Sequence, residues 1–230
     1  MSAITAVVAA GGYGVRCNSE KPKALLRKEG KTYLEMLLVE LARAGIDDLI
    51  LYCNRQEYGY FASSISNKIM STRLVIDRGF LSTFELAKHS ASLTKAQKIL
   101  FCYGHSPRPA EHVVCMLSQR TLPAVSVLDS TTKKSVLKYH AGGYLEPPYI
   151  LCSASLRNTS SQDWSSYFLE STESIVGISI EGPHEFNYTN ERHLYNRYID
   201  AWLYRNHDLT MPSTRTQNTS LRSVFCACDG

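Results

Sequence analysis

The stretch Ile4-Thr-Ala-Val-Val-Ala-Ala-Gly-Gly-Tyr-Gly-Val-Arg16 decides how the rest of the chain is read. Ala6–Ala10 is a short apolar run that stops at Gly11-Gly12, the pattern of a buried strand entering a tight loop. Three glycines after such a strand let backbone N–H groups come close to an anion, because no Cβ stands in the way. Arg16 adds a planar fork for phosphate oxygens, and Lys21 and Lys23 add compact positive charges. Two familiar phosphate loops do not fit. There is no GxxxxGK[ST], and Cys17 stands where a dinucleotide fingerprint needs its third small residue. The alternative is a plain glycine turn with solvated basic neighbours.

Outward from this loop, helices and strands alternate. Thr32-x-x-Glu35 is a capping box, in which hydroxyl and carboxylate satisfy orphan backbone donors. Leu34, Leu37, Leu38, Leu41 and Ala42 then share one helical face up to Gly45. Leu49–Cys53 reads as a second strand and Leu74–Ile76 as a third. Ser82-x-x-Glu85 caps a helix to about Leu93. Ile99–Tyr103 is a strand, Pro109 opens a helix to about Arg120, and Ala124–Leu128 is another strand. Such alternation predicts an α/β fold with a mainly parallel sheet. Further on, Tyr144–Cys152 reads as a strand around two prolines, Gln162–Glu170 as a helix and Ile175–Ile180 as a strand. Leu194, Tyr195, Tyr198, Ile199, Trp202 and Leu203 stripe a last helix. We expect one domain over 1–207 and a polar tail over 208–230.

Composition narrows the class. The chain has 230 residues, 44% of them hydrophobic, so it can bury a core without disulfides. The net charge of +4 comes with no basic run long enough for a nucleic-acid stripe. No apolar segment approaches the roughly 20 residues that cross a bilayer. The seven cysteines form no CxxC and lie mostly in apolar runs, which predicts a reduced, cytoplasmic protein. The slightly basic balance fits a small anionic ligand and equally no ligand, and neither nucleic acid nor membrane is expected as a partner.

Ala10-Gly-Gly-x-Gly-x-Arg16 followed by Lys21-Pro-Lys23-x-Leu resembles the signature of the sugar-phosphate nucleotidyltransferases and MobA-like NTP transferases. Ala44-Gly-Ile-Asp-Asp-Leu-Ile50 resembles the end of that family's first helix and its second strand. The resemblance implies a three-layer α/β/α Rossmann-like domain with a mixed, mainly parallel sheet. It also implies a reaction: an acceptor phosphate attacks the α-phosphorus of a nucleoside triphosphate and pyrophosphate leaves. By position, Ala10, Gly11, Gly12, Tyr13 and Gly14 would wrap the nucleotide. Arg16 would neutralise the leaving pyrophosphate and Lys23 would sit on the α-phosphate. Gly79, Ser82 and Thr83, ahead of a helix, match the turn that reads the base, though Ser82 also reads as a simple cap. Asn54 could reach ribose or base. The acceptor would be a sugar phosphate or small phosphorylated alcohol, entering near Tyr139, His140, Tyr144 and Tyr149.

The chain departs from the family at its metal positions. The family holds Mg²⁺ or Mn²⁺ with an aspartate after the fourth strand, and here the step is Gly104-His105. A neutral imidazole suits softer ions than Mg²⁺, and a protonated one repels cations. His105 could bind a softer metal, contact phosphate, cap its loop, or mark an inactive site. A second metal-side stretch aligns with Phe186–Leu194, where Asn187 and His193 replace acids. Asn187 or Asn190 could supply a carbonyl oxygen, and Asn190 also reads as a helix cap. A divalent cation is thus implied with its usual acids absent, which opens a second reading as a catalytically silent nucleotide-binding or regulatory protein. A glycosyltransferase of similar architecture would need an Asp-x-Asp that Gly104-His105-Ser106 lacks.

Overall fold

A computed structural model describes residues 4–13, 19–65, 70–77, 81–128, 144–171, 175–180, 192–193, 195–197 and 199–200. The strands are β1 (Ile4–Ala9), β2 (Arg27–Lys28), β3 (Lys31–Thr32), β4 (Asp48–Asn54), β5 (Ser71–Asp77), β6 (Lys98–Tyr103), β7 (Ala124–Leu128), β8 (Tyr144–Cys152) and β9 (Val176–Ile180). The helices are α1 (Tyr33–Arg43), α2 (Tyr58–Ser64), α3 (Thr83–Leu93), α4 (Ala110–Leu117), α5 (Ser153–Asn158) and α6 (Trp164–Glu170). Seven strands form one sheet in the order β5-β4-β1-β6-β8-β7-β9, and β2-β3 is a separate hairpin. β8 runs antiparallel to both neighbours, while the other pairings in the large sheet are parallel. Among the described residues no helix is long and apolar enough to cross a membrane.

Alternation along β1 shows why the fold has three layers. Ala6, Val8 and Ala10 pack with Leu34, Leu37 and Leu41 of α1, Phe61 of α2, and Val113 and Met116 of α4. Val7 faces the other way, with Phe84 and Ala87 of α3, Leu156 of α5, and Trp164 and Phe168 of α6. Successive side chains of a strand point to opposite faces, so a continuous apolar run needs a helical layer on each side. Each core leucine or phenylalanine so buried contributes about 1.5–3 kcal/mol.

Both capping boxes form. Thr32 accepts from the Glu35 amide at 3.0 Å, and the Glu35 carboxylate accepts from the Thr32 amide at 2.6 Å. Ser82 and Glu85 repeat the arrangement. A third, from Asp163, starts α6 two residues later than the apolar pattern predicts. Gly45 has φ of 83°, the left-handed turn that ends α1. The prolines of β8 fall where its ladder with β7 shifts register, between Tyr149 opposite Val125 and Glu146 opposite Ser126. A proline cannot donate to a ladder, so such an irregularity is where an interior strand tolerates one.

The C-terminal helical residues dock on the β2-β3 hairpin and the start of α1. Tyr33 donates to Asn196 at 2.6 Å, Arg192 donates to the Arg27 carbonyl at 2.9 Å, and buried Lys28 pairs with Asp200 and Glu29. The expected tail over 208–230 lies outside the described residues.

Candidate active site

The chain leaves β1 toward β4 and β5 on one side and later returns to β6 on the other. The crevice past the carboxyl ends of β1 and β6 is therefore a topological switch point, where open α/β sheets bind their ligands. Ala9 pairs with Tyr103 at the last rung, and the Gly104 amide donates to the Ala9 carbonyl at 2.9 Å. The two strands thus deliver Ala10-Gly11-Gly12 and Gly104-His105 to one place. A Cβ on Gly104 would stand 2.7 Å from the Ala10 Cβ and 3.1 Å from the Ala24 Cβ. Only glycine lets these three segments meet.

Lys23 comes in from the third side. It starts a short 3-10 turn over Lys23–Leu25, and its amide donates to the Gly12 carbonyl at 3.4 Å. Tyr13 and Pro22 make an antiparallel bridge just above. The two stems of the loop are thereby tied, and Lys23 is buried beside the glycines. A cationic side chain held in a partly desolvated setting acts more strongly on a phosphate than one in bulk water.

On the β4 side, a Cβ on Gly11 would meet the Asn54 amide nitrogen at 2.9 Å and the Cys53 carbonyl carbon at 3.1 Å. Gly12 is exposed, and a Cβ there would meet nothing within 4 Å. Gly11 is therefore required by packing, whereas Gly12 leaves an open backbone face toward the crevice.

One buried carboxylate ties α1 to the start of α4. Glu40 of α1 accepts from the Ala110 amide at 2.9 Å and from Arg43 at 2.9 Å. Burial raises its pKa, opposed by those bonds and the Arg43 charge. Glu40 thus anchors the start of α4. Sequence reading passed over it; its signal was an acid between Leu37 and Leu41 on the apolar side of α1.

The MobA-like NTP transferase domain profile matches residues 6–162. The chain belongs to that family. The comparison with curated proteins gave no match. Among solved structures, a nucleotidyl transferase from Methanothermobacter thermautotroptrophicus is 20% identical, covering 88% of this chain and 99% of that one, with a TM-score of 0.67. The inositol-1-phosphate CTP transferase from T. maritima is 14% identical, covering 77% and 86%, with a TM-score of 0.63. Rv0371C from Mycobacterium tuberculosis, in complex with manganese, is 17% identical, covering 84% and 98%, with a TM-score of 0.57. At these identities the likeness is one of fold.

The other expected residues of this NTP transferase domain divide by position. Asn54 donates through Nδ2 to the Gly11 carbonyl at 3.2 Å and accepts at Oδ1 from the Glu57 amide at 2.8 Å. Ser82 caps α3, and Thr83 accepts from the Trp164 indole at 2.9 Å. Tyr149 is buried among Phe101, Trp164 and Phe168. Gly14, Arg16, Gly79, Tyr139, His140, Asn187, Asn190 and the Tyr144 side chain lie outside the described residues.

Among the described residues, His105 is placed against an aromatic ring. Its ring lies face to face with Tyr103, centroids 5.6 Å apart and planes 9° apart. Among the described residues no group of three or more His, Cys, Asp or Glu side chains could hold a metal ion. These residues do not by themselves fit the Mg²⁺ or Mn²⁺ that the family relationship implies.

Proposed function

We propose that this chain transfers a nucleoside monophosphate from a nucleoside triphosphate to a sugar phosphate or small phosphorylated alcohol. An acceptor phosphate oxygen forms a bond to the α-phosphorus, the bond to the bridging oxygen of the β-phosphate breaks, and pyrophosphate leaves with that electron pair. Gly11, Gly12 and Gly14 hold the triphosphate, Lys23 draws charge from the α-phosphate, and Arg16 neutralises the pyrophosphate. The protein forms no covalent intermediate; it positions groups and stabilises developing charge.

The observation that carries this reading is the meeting of Ala10-Gly11-Gly12, Lys23-Ala24 and Gly104-His105 at the switch point between β1 and β6. Family membership supports the reaction class. The named acceptor of the T. maritima neighbour, inositol-1-phosphate, supports the phosphorylated-alcohol class.

His105 stacked on Tyr103 favours the second reading, a catalytically silent nucleotide-binding or regulatory protein on the same scaffold. A thermal-shift panel separates the two. It uses ATP, CTP, GTP and UTP, each with Mg²⁺, Mn²⁺ or EDTA. A ligand that binds only the folded state adds about 2.7 kcal/mol of stability at a free concentration about a hundred times its Kd, and Tm rises with it. A selective shift that needs the metal supports transfer. A selective shift that ignores it supports the silent reading, and no shift with any triphosphate removes both.

A further inference from the structure

The end of β4, the turn after it and helix α2 touch the glycine loop at three points, on both of its stems. Asn54 Nδ2 donates to the Gly11 carbonyl at 3.2 Å. The Tyr13 hydroxyl donates to Gln56 Oε1 at 2.6 Å. The Lys21 ammonium lies over the Tyr60 ring, 5.3 Å from its centroid. Asn54 is itself fixed, because its Oδ1 accepts from the Glu57 amide at 2.8 Å. Gly11 and Tyr13 belong to the stem that leaves β1, and Lys21 to the stem that returns to Lys23.

Tyr13 and Tyr60 are 39% and 58% exposed, so these contacts do not arise from core packing. Holding a glutamine and a lysine in place costs side-chain entropy. α2 itself buries only Phe61, so its packing does not account for these contacts. What they restrain is the separation and orientation of the loop's two stems.

We propose that the segment Asn54–Tyr60 is a positioning clamp for the triphosphate loop, with Gln56 and Tyr60 as positioning residues. The ligand class rests on the nucleotide reading above. The clamp holds the stems before ligand arrives, so less ordering entropy is lost on binding. Its contacts exist before and through the reaction, so they favour ground state and transition state alike. Losing them raises KM and leaves kcat in place.

The test uses Gln56→Ala, Tyr60→Ala, the double variant, and Tyr13→Phe, which removes only the hydroxyl. Amide exchange at Lys23, which bonds to the Gly12 carbonyl, reads the loop without any nucleotide. In the double variant this exchange rises about 5- to 10-fold, while Tm stays within about 2 °C. Gln56→Ala and Tyr13→Phe act on one bond and are non-additive. In the Gln56→Ala, Tyr60→Ala double variant KM for the triphosphate rises about 10-fold with kcat unchanged. Unchanged exchange at Lys23 in the double variant overturns the clamp. So does a fall in kcat at constant KM. Faster exchange in a protein whose wild type binds no triphosphate supports the clamp and overturns the nucleotide reading instead.

Discussion

Gly11 and Gly12 are neighbours, yet alanine at each should fail in a different assay. A Cβ on Gly11 would stand 2.9 Å from the Asn54 nitrogen, and ordinary contact begins near 3.4 Å, so loop and strand must part by roughly 0.5 Å. The obstructing atoms are backbone of β4, held in register with β1 through Ala9 and Tyr52. They cannot rotate away. The displacement lengthens the bond from Asn54 Nδ2 to the Gly11 carbonyl, now 3.2 Å, beyond hydrogen-bonding range. Overpacking of this kind costs about 1–3 kcal/mol. In a chain of this size 2 kcal/mol lowers Tm by about 4–8 °C. Gly12→Ala meets nothing within 4 Å and should leave Tm within about 1 °C. Its methyl would occupy the face that a phosphate must approach, so triphosphate affinity should fall at least about tenfold. Calorimetric unfolding and titration with the selected triphosphate read the two effects. A Gly12→Ala protein that binds as well as wild type, or a Gly11→Ala protein of unchanged Tm, would refute the reasoning.

Lys23→Ala should cut turnover far more than it weakens triphosphate binding, because the charge it meets grows in the transition state; steady-state kinetics beside a binding titration would show equal losses if that role is wrong. His105→Asp should create or strengthen Mg²⁺-dependent turnover and triphosphate binding, read by repeating both assays with Mg²⁺ and with EDTA. Burial lowers the His112 pKa from 6.5 to about 3, with Arg108 adding to the effect, while His112 Nε2 bonds to Ser126. The unfolded chain then takes up a proton below about pH 6.5 that the folded chain refuses until about pH 3. Stability from this group is complete above the first value and lost on acidification at up to about 1.4 kcal/mol per pH unit. Denaturant unfolding across that range should show His112→Gln with a shallower acid slope than wild type.

The legible parts of the fold were those written locally. Thr32 with Glu35 and Ser82 with Glu85 announce their helices because cap and acid lie within one turn. β1 and β6 announce themselves as unbroken apolar runs, since both faces are covered. Helix α2 was not legible. Tyr58-Gly-Tyr-Phe-Ala-Ser-Ser64 combines a glycine with poor helix formers and buries only Phe61. Helix α5 is short and mostly polar, and follows β8 without a break. The β2-β3 hairpin turns on Glu29 and Gly30 with φ of 50° and 83°, and glutamate is not the residue that usually marks such a turn. The glycine loop and Lys23 could be read as a site because their chemistry is local in sequence. Gln56 and Tyr60 could not, because their partners lie 43 and 39 residues away along the chain; Glu40 showed only as an acid on an apolar helix face, with its partner 70 residues away.

Acceptor-dependent pyrophosphate release tests the central claim most directly. The full chain is incubated with the triphosphate that stabilises it, a divalent cation, and a panel of sugar phosphates and phosphorylated alcohols. The account predicts that one acceptor class releases one pyrophosphate per nucleotide transferred and that Lys23→Ala abolishes the release. Tight triphosphate binding with no pyrophosphate from any acceptor, in wild type and in His105→Asp alike, would contradict it.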